Sequence, residues 1–353
     1  MKKISLLKMS MKGLGGLEKY TLRLKDAFEK KGAEVSLITS DILPIPKRPR
    51  YLRLQRFDQK CKSYLKKHPT DIVFGMERSS FQTHLRAGNG VHHSYLQARC
   101  LFEPAIKKLY FKLSPLHQKV LEIEKTAYEH PELKKIFCNS SLVKNQILKY
   151  YNTDPAKIEV VHNGVEWSEM DEAFQATMDK EKPFEFLFLG NGFARKGLTP
   201  LLHALTLIKQ EFHLSVVGKD RKMEDYQKLV HSLGLEKSVT FFGEQKNPIP
   251  FYQKADVLVI PSYYDPFANV TLEALAMGLF VVSSKSNGAS EILTKDMGSI
   301  IDNLNDLDAF ASALETALNH PKTKSSAPLI RNSVKEYDFS KKLTQIVEST
   351  LDV

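Results

Sequence analysis

The sequence runs to 353 residues, 42% of them hydrophobic, and its 51 Lys and Arg against 41 Asp and Glu leave a formal charge of +10. That length suits two domains of roughly 100–200 residues, each able to bury its own core, and it excludes disorder, collagen and coiled coil. The longest apolar runs, Phe184 to Leu189 and Val257 to Ile260, fall far short of the roughly 20 residues that cross a bilayer, so no span is expected.

Met1 to Leu7 has the basic start and apolar run of a signal peptide. Lys8 interrupts it and the glycines from Gly13 to Gly16 follow directly, so the start reads as a first strand, Lys3 to Met9. Strand-like runs continue at Glu34 to Thr39, Asp71 to Phe74, Lys135 to Cys138 and Ile158 to Val161, with helical spacing at Leu17 to Lys31 and Leu142 to Tyr151. The alternation restarts at Phe184 to Leu189 and continues through His213 to Val217, Val239 to Phe242, Val257 to Ile260 and Phe280 to Ser283. Strands alternating with helices imply parallel sheets covered on both faces. The expected fold is α/β, with Rossmann-like domains at 1–165 and 166–335, and a last helix within 336–353 carrying Phe339, Leu343 and Ile346 at helical spacing. Glu166 to Pro183, polar and weakly patterned, reads as the connection. Ligands of such sheets bind beyond the carboxyl ends of the strands, so a cleft shared by the two domains is the expected site.

Cys61, Cys100 and Cys138 include no Cys-x-x-Cys pair and no flanking His at ligand spacing, so neither disulfide nor metal is expected and a cytoplasmic setting is. The positive charge leaves nucleotide phosphates and anionic lipid as partners. Nucleic acid is set aside, because no groove-reading or RNA-binding motif organises the cations.

Three loops carry chemistry. Gly13-Leu14-Gly15-Gly16 opens the first helix, where free amides favour an anion; it lacks the third glycine of a dinucleotide fingerprint, Glu18 standing there, and a tight turn without a ligand is the equal alternative. Gly190-Asn191-Gly192-Phe193-Ala194-Arg195-Lys196-Gly197 joins a strand to a helix and holds two adjacent cations. An Arg fork and a Lys point charge there suit a diphosphate, the alternative being a solvated pair. Gly218-Lys219 ends the next strand in the same way. In the third, Pro261 to Gly278, a loop turning at Pro266 leads into a helix near Asn269, with Asp265 in the loop and Glu273 eight residues later. Both carboxylates can face one cleft and take sugar and ribose hydroxyls, or Glu273 merely complements the helix dipole.

This last segment resembles the E-x7-E region of family 4 retaining glycosyltransferases with the GT-B fold, reading here from Asp265 to Glu273. Val161-His162-Asn163-Gly164-Val165 resembles the family's interdomain turn, Gly190 to Gly197 its phosphate loop, and Phe242-Gly243 its nucleotide-side turn. The ordered set marks the superfamily, and the phosphate loop, with Asn191 where the family often carries Arg and Arg195 later in the loop, resembles that of lipopolysaccharide core glucosyltransferases in particular. The resemblance implies two Rossmann-like domains facing each other across a cleft, and transfer of a hexose, glucose, from UDP-glucose to a lipopolysaccharide core or related envelope glycan, with no metal or other cofactor. By position, Gly15 and Gly16, Arg195, Lys196, Gly218, Lys219, Phe242, Gly243, Asn269, Val270 and Glu273 bind the donor, and Asp265 meets the transferred sugar. Asp306-Leu307-Asp308 spells D-x-D but precedes a helical run and reads as an N-cap.

On the acceptor side, Arg86-Ala87-Gly88-Asn89-Gly90-Val91-His92 is similar to an R-A-G-D-G-V-H segment of the same enzymes. Asn89 stands where they carry Asp and cannot take a proton, which moves that burden to His92, favoured over His93. Two basic-aromatic stretches follow the pattern of surfaces that lie on anionic membranes. One is Lys47 to Phe57, for which a solvated helix face is the alternative. The other includes Arg99, Lys107, Lys108, Tyr110, Phe111 and Lys112, just beyond the acceptor loop. A lipid-linked glycan on the inner face of the cytoplasmic membrane is the implied acceptor. The departures at Asn89 and Asp265 keep a second reading open, a catalytically weak nucleotide-sugar or glycan-binding protein.

Overall fold

A computed structural model of the chain describes residues 1–12, 16–175 and 183–352. They form two compact units, Met1–His162 together with the segment from Lys342 onward, and Asn163–Lys341.

The first unit is built on six strands: β1 (Lys3–Leu7), β2 (Glu34–Ile38), β3 (Ile72–Gly75), β4 (His84–Arg86), β5 (Lys135–Cys138) and β6 (Ile158–Val160). They lie in the order β2-β1-β3-β4-β5-β6, all parallel, so the winding reverses between β1 and β3. The second unit repeats the plan with β7 (Glu185–Leu189), β8 (His213–Val217), β9 (Val239–Gly243), β10 (Val257–Ile260), β11 (Phe280–Ser284) and β12 (Gly298–Ile301). Its order is β12-β11-β10-β7-β8-β9, reversing between β7 and β10. Phe186 to Phe188 and Val257 to Ile260 are fully buried, as strands covered by helices on both faces must be.

Three elements depart from the sequence expectation. β4 is three residues long and reads His-Leu-Arg. His84 is nevertheless fully buried, stacked on Phe74 with ring centroids 6.3 Å apart and bonded through Nδ1 to Thr83 Oγ1 at 3.0 Å. β12 at the sheet edge is half exposed and lacks a continuous apolar run. The stretch after Glu166 is not a plain connection: Trp167–Gln175 is helical, and its Met170, Ala173 and Phe174 enter the second core. Arg331 anchors it, lying 4.6 Å from the Trp167 and Phe174 ring centroids and bonded to Asp171.

Gly164 is the second residue of the second unit. A Cβ there would fall 2.4 Å from Phe339 Cα, because Val165 forms a parallel bridge with Asp338. The helix Phe339–Leu351 starts at that bridge, and its buried Leu343, Ile346, Val347 and Thr350 follow helical spacing. Within the first unit Lys31 pairs with its Glu348 at 2.8 Å, and Lys135 donates to its Ser349 at 2.8 Å. Asp306 caps Leu307–Leu318, accepting from Ala309 N at 3.0 Å, as the sequence implied.

Candidate active site

In the second unit the predicted residues gather at the carboxyl end of the sheet, around the reversal between β7 and β10. After β7 the chain turns through Gly192, at φ 76°, into the single helical turn Phe193–Lys196 and leaves it at Gly197, at φ 79°. Phe193 is the fully buried anchor, edge-on to Phe188 and Tyr226. A Cβ on Gly197 would fall 1.9 Å from the Pro261 carbonyl, so only glycine lets this turn press against the end of β10. The turn delivers Arg195 and Lys196 to the loop that follows β10. Lys196 Nζ donates to Asp265 Oδ2 at 2.7 Å, and Arg195 Nη1 donates to the same oxygen at 3.1 Å and to the Tyr264 carbonyl at 3.0 Å.

Asp265 is held on its other sides too. Its N–H donates to the Ser286 carbonyl at 3.0 Å, its carbonyl accepts from Gly288 N at 2.9 Å, and its Oδ1 accepts from Phe267 N at 3.2 Å. Burial would raise this carboxyl, but Lys196 and then Arg195 outweigh it and keep it below the ordinary aspartate value. Burial lowers the Lys196 ammonium against the pull of Asp265. The result is a desolvated anion between two cations.

The helix Asn269–Ala276 leaves this loop from Ala268, which has no capping side chain. The Asn269 and Val270 amides lie in its first turn, beyond the reach of intrahelical acceptors. Asn269 Oδ1 accepts from Asn163 Nδ2 at 2.7 Å. Glu273 does not share the partners of Asp265: its Oε2 accepts the Tyr252 hydroxyl at 2.6 Å, and burial raises its carboxyl although that bond opposes the rise. Lys219 is also accounted for, both Glu244 oxygens lying 2.6 Å from its ammonium. Gly218 packs on the Gly190 carbonyl, and Phe242 is partly exposed against Phe251, with Gly243 at φ 68° ending β9.

In the first unit, Gly16 begins the helix Gly16–Lys30, while Gly15 lies outside the described residues. Arg86 folds back over Gly88, where a Cβ would be 2.0 Å from its Nη1, and covers the Tyr20 ring at 4.1 Å. Gly90 turns the chain, at φ 69°, into the helix His92–Phe102; Asn89 is exposed at its mouth. His92 is buried, its N–H donating to Glu124 Oε2 at 2.9 Å and its Nε2 lying 3.0 Å from His117 Nδ1. Burial, then the Arg78 charge, depresses its imidazole to about 3. At neutral pH it is therefore an uncharged hydrogen-bonding group, poorly matched to proton removal. His93 stacks on Tyr150, ring centroids 4.9 Å apart.

One residue expected on the membrane-facing surface is not there. Phe111 is only 5% exposed, capped by the Arg99 guanidinium at 4.2 Å from its ring and edge-on to His117. An amphipathic helix must bury one face, and in Ile106–Leu113 that face is Phe111. Its exposed side carries Ile106, Leu109, Tyr110 and Leu113 with Lys108 and Lys112; Arg99 and Lys107 both pair with Glu103.

Several participants had no sequence signal. Lys8, set aside as an interruption, is 1% exposed, and its ammonium lies 3.0 Å from Glu18 and 3.2 Å from Glu77, at the reversal between β1 and β3. Glu124 gathers Arg78 Nε at 2.9 Å and the Tyr151 hydroxyl at 2.9 Å. Asn287, fully buried, accepts from Ala268 N at 3.0 Å and donates to Thr271 and Ser283, fixing the Asp265 loop. The sequence signal that marks this position is Asn287-Gly288, a turn dipeptide that the motif reading passes over. Among the described residues no group of three or more His, Cys, Asp or Glu is placed to hold a metal ion, and no helix is long and apolar enough to cross a membrane.

The description "Glycosyltransferase Family 4" matches residues 14–169, and "Glycosyl transferases group 1" matches residues 169–335. The chain belongs to glycosyltransferase family 4. This glycosyltransferase is 30% identical over 174 residues to the uncharacterized glycosyltransferase MJ1607 of Methanocaldococcus jannaschii, an alignment that takes in 46% of the chain and 45% of that protein. It is 23% identical over 315 residues to the lipopolysaccharide glucosyltransferase WaaG of Escherichia coli, covering 81% of this chain and 82% of WaaG. The crystal structure of WaaG superposes with a TM-score of 0.77 at 20% identity over 98% of this chain and 99% of that one. Anabaena Alr3699/HepE, solved with UDP-glucose, gives 0.65 at 16% identity over the whole of both chains. The fold of this glycosyltransferase is therefore GT-B.

Proposed function

We propose that this glycosyltransferase moves glucose from UDP-glucose to a lipopolysaccharide core or related envelope glycan, with retention of anomeric configuration and without a metal ion. The observation that carries the reading is the desolvated Asp265 clamped by Lys196 and Arg195 where the second sheet reverses, the place at which α/β sheets bind ligands. The WaaG and HepE names support the acceptor class and the donor.

When a diphosphate enters, Lys196 and Arg195 turn to it and release the Asp265 carboxylate to a hydroxyl of the transferred sugar. Asn269 and Val270 amides, Gly218 and Gly243 close on the phosphates and base, and Glu273 takes the ribose. In front-face transfer the bond from C1 to the phosphate oxygen breaks, the bond from C1 to the acceptor oxygen forms, and the acceptor proton passes to the departing phosphate. Neutral His92 and exposed Asn89 then serve as hydrogen-bonding groups. A second reading, a catalytically weak nucleotide-sugar or glycan-binding protein, is favoured by Asn89, which cannot take a proton, and by Asp265, one methylene shorter than the Glu the family carries.

UDP, GDP and ADP, each tested with EDTA present, separate these possibilities by thermal shift. At 100 times its dissociation constant a ligand adds about 2.7 kcal/mol. UDP alone is expected to stabilise, and turnover of UDP-glucose with an acceptor then distinguishes enzyme from binding protein; no shift with any nucleotide defeats the glucosyl-transfer reading and leaves a glycan-binding protein.

The working place is the inner face of the cytoplasmic membrane. Ile106 is 81% and Leu113 65% exposed beside Lys108 and Lys112, the composition of a helix that lies in an anionic interface. Flotation with phosphatidylglycerol vesicles is expected to recover the chain, with recovery lost in Ile106→Glu/Leu109→Glu; equal recovery with neutral vesicles counts against it.

A further inference from the structure

The helix Arg50–Lys67 opens against the rules that stabilise a helix. Its first turn holds Arg50 and Arg53 and no acidic residue, so the cations oppose the helix dipole. Spacings of three, three and four residues set Arg50, Arg53, Arg56 and Lys60 along one side, where like charges repel. Lys47 and Arg48 lead into them, and the one carboxylate in the stretch is Asp58. That carboxylate is taken, accepting from Ser80 N at 2.7 Å and from Ser80 Oγ at 2.6 Å. Asp41 and Glu77, on neighbouring segments, pair with Lys12 and Lys8 instead. Among the described residues none of these six cations pairs with a carboxylate. Five of them are exposed; Arg53 is half-buried, with its Nε inaccessible and unpartnered. The fold gains nothing from this ridge, and a local rule broken without compensation marks a working surface.

Topology brings the ridge to the acceptor side. β2 and β3 are parallel members of one sheet, so the helix between them starts at the carboxyl end and runs back, leaving Arg50 to Arg56 at the end from which the Asn89 loop leaves β4. The turn held by Asp58 also follows Arg78, which bonds Glu124, and Glu124 accepts from His92 N. The chemistry of the surface selects its occupant. Tyr51, Leu52 and Leu54 are half-buried and Phe57 is buried, so the ridge offers charge without the exposed apolar side chains that Ile106–Leu113 presents to a lipid interface. Four of its six cations are arginines, whose forks match phosphate and carboxylate oxygens. We propose that this ridge is a subsite for negatively charged units, phosphate- or carboxylate-bearing, of the acceptor glycan. This rests on the reading that the first unit takes a glycan acceptor, and it assigns that acceptor a charge.

Isothermal titration on the full chain tests it, with phosphomannan fragments and oligogalacturonate as anionic probes and dephosphorylated mannan as the neutral one. At least one anionic probe is expected to bind more tightly than neutral mannan, and Arg50→Gln/Arg53→Gln/Arg56→Gln to weaken it by about tenfold or more, the loss of three ionic contacts at a surface. Lys62→Gln/Lys66→Gln/Lys67→Gln removes the same charge from exposed positions at the far end of the helix and is expected to bind as the parent does. The urea midpoint of the arginine variant is expected to be no lower than the parent's, because repulsion along the ridge is relieved; should it not fold, Arg48→Gln/Arg56→Gln, both exposed, supplies the comparison. Its flotation with phosphatidylglycerol vesicles is expected to match the parent's. The proposal is overturned if neutral mannan binds as well as the anionic probes, if inorganic phosphate at the same phosphate concentration displaces them, if the arginine variant binds as the parent does, or if both triple variants lose binding alike. Loss of flotation with probe binding retained also overturns it and gives the ridge to lipid. Probe binding without any effect of UDP on stability leaves the subsite standing and removes the glucosyl-transfer reading; UDP stabilisation without probe binding does the reverse.

Discussion

Lys196→Met is expected to cost about 3 kcal/mol of stability and to abolish stabilisation by UDP. The first effect follows from burial: Asp265 and Lys196 are both almost inaccessible and 2.7 Å apart, and removing one partner of such a pair leaves the other charge desolvated. Arg195, still 3.1 Å from the same oxygen, keeps the loss at the lower end of the usual range. The second effect follows from the proposal that this ammonium is lent to the donor diphosphate. Adding Asp265→Asn to Lys196→Met separates the two, because it removes the stranded anion. Urea midpoints are expected to recover most of their loss while the UDP shift stays absent. Asp265→Asn alone frees both cations, so UDP should bind at least as well as to the parent. Turnover should fall about a hundredfold through loss of a charged contact to the transferred sugar. A Lys196→Met protein still stabilised fully by UDP would remove Lys196 from the donor site.

Acid is the second strong lever. Burial depresses His84 from 6.5 to about 4 and His92 from 6.5 to about 3. Between those values and 6.5 the unfolded chain binds protons that the folded chain refuses, so stability rises with pH across that window and is lost as pH falls through it. Lowering the pH from 7.5 to 5 should cost about 2 kcal/mol at each site. Asp265 works in the same direction at still lower pH, its depressed carboxyl contributing stability that disappears on protonation. Urea unfolding at the two pH values should show the loss, and His84→Gln should remove about half of it between pH 7.5 and 5. Identical pH dependence in parent and variant would show that His84 is not the group responsible.

What the sequence makes legible here follows from how each feature is encoded. Parallel strands buried on both faces are near-continuously apolar, so β7, β8, β10 and β11 stood out as runs. β4 did not, because two of its three residues are His84 and Arg86, whose polarity is absorbed by Phe74 stacking and by Tyr20 rather than by anything adjacent in sequence. The helix Trp167–Gln175 was hidden by Ser168, Glu169, Asp171 and Glu172, which face outward while three residues carry its packing. At the site, the glycine turns and the Arg195-Lys196 pair were visible because a strand-to-helix turn has local rules. The joining of those cations to Asp265, about seventy positions away, depends on strand order and was not readable. The same holds for Glu124 and His117, whose importance lies in what surrounds them.

The division of the chain has a consequence for its synthesis. The first unit includes the segment from Lys342 onward, and the buried face of that helix, Leu343, Ile346, Val347 and Thr350, belongs to it. The second unit is contiguous from Asn163 to Lys341. A ribosome therefore delivers every residue of the second unit before it delivers the closing piece of the first. The unit made first is finished last, and until then it waits with the seat of the helix open to water, a natural point for a chaperone to engage the nascent chain.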